Sequence, residues 1–384
     1  MTIDFSLSPK PPMGFNTWNR FGMGIDERLL EDTMEALVNE GLAAAGYTAV
    51  NIDDGWMAPE RDSRGRLAPD RIRFSQGIER LVERAHSAGL TLGIYSDCGV
   101  KTCGGLVSSY GYEQEDAATF AEWGADYLKY DWCNVPFEAF PGRSHREVAQ
   151  TLYGRMSEAL LATGHPMILS MCNWGEGEPW EWARGIAHLW RTTGDIADVY
   201  RGARESWQRD LVSIFHANVR LSSYAGRGGW NDPDMLEVGN GGMTDTEYRT
   251  HFALWCLMAA PLLIGTDLRS MSDETQAILT NRALIAIDQD CLGKPCEEVE
   301  TQDECHILSR SLANGDLAVG VFNEGDEEAH PTLDWERLLP ALPGGRVGTD
   351  VWSGREERLT GRDTVTLEAH ATRVWRIQPT GGHA

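Results

Sequence analysis

The chain has no run of about 20 apolar residues, so no helix of it is expected to span a membrane. It has no excess of positive charge either. Lys and Arg number 34 against 58 Asp and Glu, a formal net charge of −24. Nucleic acid and anionic membranes both select a positive patch, so neither is an expected partner. The acidic excess reads mainly as solubility, and it does not prevent self-assembly into a homo-oligomer. Residues 1–10 lack the basic start and apolar run of a secretory leader, which makes the cytoplasm the expected location. Cysteine is sparse: eight in 384 residues are too few for a disulfide scaffold, and no paired CxxC motifs suggest a zinc cluster. Three close pairs remain, namely Cys98 with Cys103, Cys291 with Cys296, and Cys103 with Cys133 if the fold joins them. Low-complexity linkers are absent.

What is present is a rhythm. Apolar or β-branched runs ending in polar residues recur at 12–18, 48–56, 91–98, 126–133, 167–174, 188–195, 229–236 and 261–268. Continuous apolar runs of this length suit parallel strands buried on both faces. The stretches between them read as helices, among them 27–45, 77–88, 112–123, 145–162 and 244–260, several stopped by glycine. Eight such alternations predict a (β/α)8 TIM barrel over residues 1–295. An open doubly wound sheet would carry a Gly-rich phosphate loop after its first strand, and NTWNRFG contains no GxGxxG. Beyond residue 295 the pattern shifts to short alternating runs at 305–312, 316–323, 349–354, 364–370 and 372–378. Turn signals at Asn314-Gly315 and Gly344-Gly345 separate them, which predicts a C-terminal antiparallel β-sandwich over 296–384.

In a barrel of this kind, polar residues at the C-terminal strand ends converge on one site. The runs end in Trp18, Asp53 and Asp54, Tyr95, Lys129 and Asp131, Cys172, Asn173 and Trp174, Arg191 and Asp195, Asp232 and Asp234, and Asp267. One such Asp is most simply a helix cap or turn former. A set this dense is not, because burying several like charges is costly unless they bind something polar or cationic. Two chemistries fit: glycoside hydrolysis, which needs two carboxyl groups across the anomeric carbon, and metal-assisted chemistry on oxygen ligands. A His-rich zinc site at the mouth does not fit, since only His188 lies in a strand run, and at its far end.

The motifs PPMGFNTWNRFG, NIDDGW, LGIYSD…KTCGG, DYLKYDWCN, CNWG, WRTTGDI and GGWNDPDML occur in this order at these strand ends. The chain thereby resembles glycoside hydrolase family 27, whose members include α-galactosidases and α-N-acetylgalactosaminidases. The resemblance covers the barrel and reaches into the β-domain. It implies a retaining exo-glycosidase acting on carbohydrates with terminal galactose, without metal or cofactor. By motif, Asp131 is the implied nucleophile and Asp195 the implied acid/base. The residues agree: Lys129 lies two positions from Asp131 on one strand face and favours its ionised form, while Asp195 must hold a proton before the first step. The resemblance also implies hydroxyl recognition by Asp53, Asp54, Lys129, Arg191 and Asp234, with Met235 beside the last. Trp18 is the implied packing surface for the sugar face, and Tyr95, Cys103, Cys133, Cys172 and Trp174 the implied pocket walls. Cys103 and Cys133 match half-cystines beside the nucleophile, but two thiols remain equally compatible with a cytoplasmic chain.

Two departures bear on the sugar. Asn173 follows Cys172 where many α-galactosidases have Glu and N-acetylgalactosaminidases have small residues. An amide suits a 2-hydroxyl better than an acetamide. Asp54 is short where arabinopyranosidases carry a longer acid, which leaves room for a hydroxymethyl group. Both favour galactose. A third departure, Gly55 in place of Cys, removes the N-terminal disulfide of secreted animal members.

Overall fold

Eight short strands fall inside the eight apolar runs. In the computed structural model, which describes residues 3–339 and 346–378, they are β1 (Met13–Asn16), β2 (Ala49–Asn51), β3 (Thr91–Asp97), β4 (Tyr127–Asp131), β5 (Ile168–Cys172), β6 (Leu189–Arg191), β7 (Trp230–Asp232) and β8 (Leu262–Ile264). All are parallel, in the order β8-β1-β2-β3-β4-β5-β6-β7. The ring closes just past β7. There Leu236 donates its N–H to Leu263 O at 2.8 Å and accepts from Gly265 N at 2.9 Å. The strands read as apolar runs because both faces are covered: Phe15, Val50, Ile94, Leu128, Trp190 and Ile264 are all fully buried. The TIM barrel followed by a β-domain is the fold predicted.

The helices of seven residues or more are α1 (Glu27–Asn39), α2 (Ile78–Ser87), α3 (Glu113–Trp123), α4 (His145–Thr163), α5 (Leu211–Val219), α6 (Asp245–Leu257), α7 (Asp273–Leu279) and α8 (Arg282–Asp288). Capping boxes, Ser144 with Glu147 and Thr244 with Glu247, satisfy the first amides of α4 and α6. The expected helix 27–45 breaks at Gly41, which sits at φ 78°. The expected helix between β5 and β6 is missing. A single 3-10 turn, Pro179–Glu181, takes its place among Gly175, Gly177 and Gly185, all at positive φ. Glycines in that conformation and a proline cannot sustain an α-helix.

Strands β9 (Glu297–Gln302), β10 (Cys305–Ser311), β11 (Leu317–Asn323), β12 (Thr332–Asp334), β13 (Arg346–Asp350), β14 (Glu356–Leu359), β15 (Arg362–Thr364) and β16 (Thr372–Gln378) build the C-terminal domain. Six form one antiparallel sheet in the order β9-β10-β11-β16-β13-β14, and β12 pairs with β15. Ile307, Val319, Val321, Leu333, Trp335 and Trp375 fill the space between the two layers. The run 349–354 stops being a strand at Asp350, whose carboxylate accepts from Trp352 N and Ser353 N and turns the chain. Only the start of the run 364–370 is strand. The Gly344-Gly345 turn lies outside the described residues. Arg310, on β10, joins the two domains: buried, it donates to Cys256 O, to Leu257 O at 3.4 Å and to Asp288 O at 3.0 Å, the carbonyls at the ends of α6 and α8.

Candidate active site

The mouth of the barrel is built around two cations, Arg191 buried and Lys129 11% exposed. Lys129, on β4, lies 2.8 Å from Asp53 and 3.9 Å from Asp131 Oδ2. Asp53 stands two residues past β2, held by Asn16 Nδ2 at 2.8 Å and, through its own N–H, by Thr17 Oγ1 at 3.0 Å. Asp131 ends β4, and its Oδ1 accepts from Trp132 N at 3.0 Å. Its Oδ2 carries no hydrogen bond among the described residues. The i, i+2 relation of Lys129 and Asp131 puts both on one strand face, as the pleat requires.

Arg191, which ends β6, is the second cation. Its Nη2 donates to Asp195 Oδ1 at 2.8 Å and to Asp234 Oδ2 at 2.7 Å, and its Nη1 lies 3.5 Å from Cys172 Sγ. Asp234 also accepts from Ile196 N at 2.7 Å. Asp195 is therefore not on β6, as its run suggested. It opens a separate two-residue strand that pairs with Gln208–Arg209. Gly194 allows this, since a Cβ there would collide with Trp207 O. Removing both acids would leave Arg191 a stranded buried charge, at a cost of about 3–5 kcal/mol.

Exposure separates the two candidate carboxylates. The Asp131 side chain is 6% exposed and that of Asp195 27%. A shielded carboxylate is a less solvated, stronger nucleophile. One that reaches solvent can exchange its proton with water.

Other expected residues gather around this pair. Asp54 is fully buried and accepts from Gly55 N at 2.8 Å and Gly104 N at 2.7 Å. Tyr95 sets its ring 5.4 Å from Lys129 Nζ and its hydroxyl 3.5 Å from Cys103 Sγ. Cys103 and Cys133 form a disulfide. Trp18 is half-buried and opens a short helix after β1, its N–H donating to Asn16 Oδ1 at 2.8 Å. Asn173 is buried, with Nδ2 donating to Glu176 O at 2.6 Å and Oδ1 without a hydrogen-bond partner among the described residues. Trp174 and Asp234 follow at positive φ, and Met235 is buried beside Asp234. Two acids play the plainer part. Asp267 caps the turn at Leu268–Ser270 and pairs with Arg269 at 2.8 Å, and Asp232 accepts from Asp234 N at 2.9 Å. A depression of about 480 Å³ adjoins the disulfide, walled by Trp132, Phe137, His145 and Trp174.

Asp97 belongs to this site and was not singled out from the sequence. It ends β3 in register with Asp131, and accepts from Gly99 N at 2.7 Å and Cys133 N at 3.0 Å. Its place in the LGIYSD motif was the available signal. Asn16, which holds Asp53, was equally unmarked.

Acids outnumber cations here, and burial sets the protonation. Burial raises Asp54, Asp97 and Asp232 above the ordinary carboxylate range, and Asp131 adds to the effect on Asp97. Burial takes Asp131 to about 6, against the pull of Lys129 and with the help of Asp195 and Asp53. Asp234 reaches about 6 for the same reason, despite Arg191. Lys129 goes the other way: burial opposes its charge, but Asp53 and Asp131 outweigh burial and hold the ammonium. Lys129 thus keeps Asp131 mostly ionised at neutral pH, without bringing it down to an ordinary Asp.

Residues 10–290 match the family profile described as Alpha galactosidase A, and 302–377 match that of the Alpha galactosidase C-terminal beta sandwich domain. The chain is 43% identical to Alpha-galactosidase A of Cellvibrio japonicus over 97% of its own length and 93% of that protein's. The chain belongs to the α-galactosidase family. Family members of known structure superpose on it closely. Alpha-galactosidase I from Mortierella vinacea does so with a TM-score of 0.92 at 36% identity, covering 97% of this chain and 98% of that one. The Saccharomyces cerevisiae α-galactosidase with raffinose gives 0.92 at 27% identity, covering 99% and 100%. Within the barrel, Lys129 and Arg191 line one small cavity together with Cys172, Asp232 and Asp234.

Proposed function

We propose that the chain hydrolyses terminal α-D-galactosides with retention, Asp131 acting as nucleophile and Asp195 as acid/base. The observation that carries this reading is the pair of carboxylates, each tied by one oxygen and each with a second oxygen free of hydrogen bonds among the described residues. Asp131 attacks the anomeric carbon while Asp195 gives its proton to the departing oxygen, so a glycosyl ester forms as the glycosidic bond breaks. In the second step Asp195 takes the proton of the attacking water, whose oxygen displaces Asp131 from the anomeric carbon. The cations supply charge-assisted hydrogen bonds to ring hydroxyls. The free Oδ1 of Asn173 suits a hydroxyl donor. The depression walled by Trp132 and Trp174 suits the second sugar of an oligosaccharide.

Hydrolysis of p-nitrophenyl α-galactoside, α-N-acetylgalactosaminide and β-L-arabinopyranoside, compared side by side, tests the sugar assignment. The α-galactoside is expected to be preferred by roughly 100-fold or more in kcat/KM, since a buried polar site discriminates strongly against a misfit group. Equal or greater turnover of either other sugar would overturn the roles given to Asn173 and Asp54.

The acid limb of the pH profile follows from the same site. Asp131 must be ionised to attack, and it takes up a proton as pH falls through about 6. The kcat/KM for an activated galactoside should therefore fall with a midpoint near that value. A profile flat down to the ordinary carboxylate range would contradict it.

A further inference from the structure

Away from the mouth, three side chains from both domains point at one spot. His216, on α5 of the barrel, brings Nε2 to 2.6 Å from Glu324 Oε2, and His306, on β10, brings its Nε2 to 2.9 Å from the same oxygen. The three donor atoms lie within 4.8 Å of one another. We propose that His216, His306 and Glu324 form a divalent transition-metal site of zinc type, clamping the β-domain onto the barrel.

Five observations support this. Two imidazoles and one carboxylate are a donor set that zinc takes, with the remaining position left for water. The rings meet edge to face, with centroids 5.2 Å apart and planes at 74°, so their Nε2 atoms converge rather than stack. The far nitrogen of His306, Nδ1, faces Glu298 Oε1, which is the outer carboxylate that fixes the tautomer and orientation of a metal-bound His. Glu324 is fixed as well: Arg201 takes its other oxygen, and Tyr200 donates to its backbone O at 2.9 Å. Phe215 and Phe322 wall the site, with ring centroids 5.4 Å and 5.7 Å from His306.

Tetrahedral donors stand roughly 3.3 Å apart around a zinc ion, so Glu324 Oε2, now 2.9 Å from His306 and 2.6 Å from His216, must draw back from each by less than about 1 Å. Zinc takes only an unprotonated imidazole nitrogen, so binding weakens in acid. The overall acidity of the chain favours cation approach. His216 is 37% exposed, which leaves a way in.

Calorimetric titration of the chelator-stripped full-length chain with ZnCl2 tests the site. One saturable site is expected, weakened about tenfold or more in His216→Ala and, through the outer contact, in Glu298→Gln. Co2+ in place of Zn2+ should give the visible bands of a tetrahedral ion, lost in His216→Ala. Zn2+ should raise Tm with concentration in the wild type alone. The contacts of His216 among the described residues are with Glu324, Phe215 and His306 and not with Asp131, Asp195 or the residues paired with them, so unchanged turnover of a p-nitrophenyl galactoside shows that the variant is folded. Absence of saturable binding, or binding undiminished in a folded His216→Ala, would overturn the proposal.

Discussion

Asp131→Asn should abolish turnover and leave the fold intact. An amide cannot form the glycosyl ester, so kcat/KM for p-nitrophenyl α-galactoside should fall by roughly 10⁴-fold or more. The substitution is close to isosteric. The amide Oδ1 can still accept from Trp132 N, and Lys129 keeps Asp53 at 2.8 Å. Burial raises Asp131, so its charge is a cost to the folded state above the unfolded value of about 4, and the cost is complete only above about 6. Removing that charge should therefore leave Tm unchanged or higher at neutral pH, and lower stability is not expected at any pH. A folded variant with near wild-type rates would remove Asp131 from the reaction.

Asp195→Ala should show a loss that depends on the leaving group. Unactivated galactosides need a proton on the departing oxygen, so their kcat/KM should fall by roughly 10²–10⁴-fold. Galactosides with nitrophenolate leaving groups need little help in the first step and should lose less. Their turnover should then be limited by deglycosylation, which also lacks its base. A small nucleophile such as azide, entering the space vacated by the carboxylate, should restore that second step. The variant also frees Arg191, which keeps Asp234 at 2.7 Å, so the cation stays paired and the fold should hold. An equal loss across leaving groups, with no rescue, would show Asp195 to be a structural partner of Arg191 and not the acid/base.

The sequence revealed most of the barrel because strands covered on both faces leave unbroken apolar runs, and the glycines that stop helices are local signals. It did not reveal the missing helix after β5, where the rhythm of the other seven alternations suggested one and Gly175, Gly177 and Pro179 ruled it out. It also missed β9 and β14. These are the two edges of the six-stranded sheet, and EEVETQ and EERL carry charge in place of alternation. Charged edges protect a sheet from pairing with other chains, so the protective device hides the strand from a hydrophobic pattern.

In the site, single residues were legible and their partnerships were not. Lys129 and Asp131 are two apart on one strand, and period two alone puts them together. The pairing of Lys129 with Asp53, and of Arg191 with Asp234, spans 76 and 43 residues, and only the closed barrel makes either. Asp97 acts through the backbone of Cys133, a contact no spacing rule anticipates. The His216–Glu324–His306 cluster draws on both domains, so neither half of the sequence carries it.

The most direct test of the central assignment is to trap the covalent intermediate. A galactosyl fluoride with fluorine in the ring slows both steps but keeps a good leaving group, so the ester should accumulate on the intact chain. Peptide mass spectrometry after digestion should find one fluorogalactosyl adduct, on the peptide that carries Asp131, and none in Asp131→Asn. An adduct on another carboxylate would contradict Asp131 as nucleophile, and turnover with inverted product and no adduct would contradict double displacement altogether.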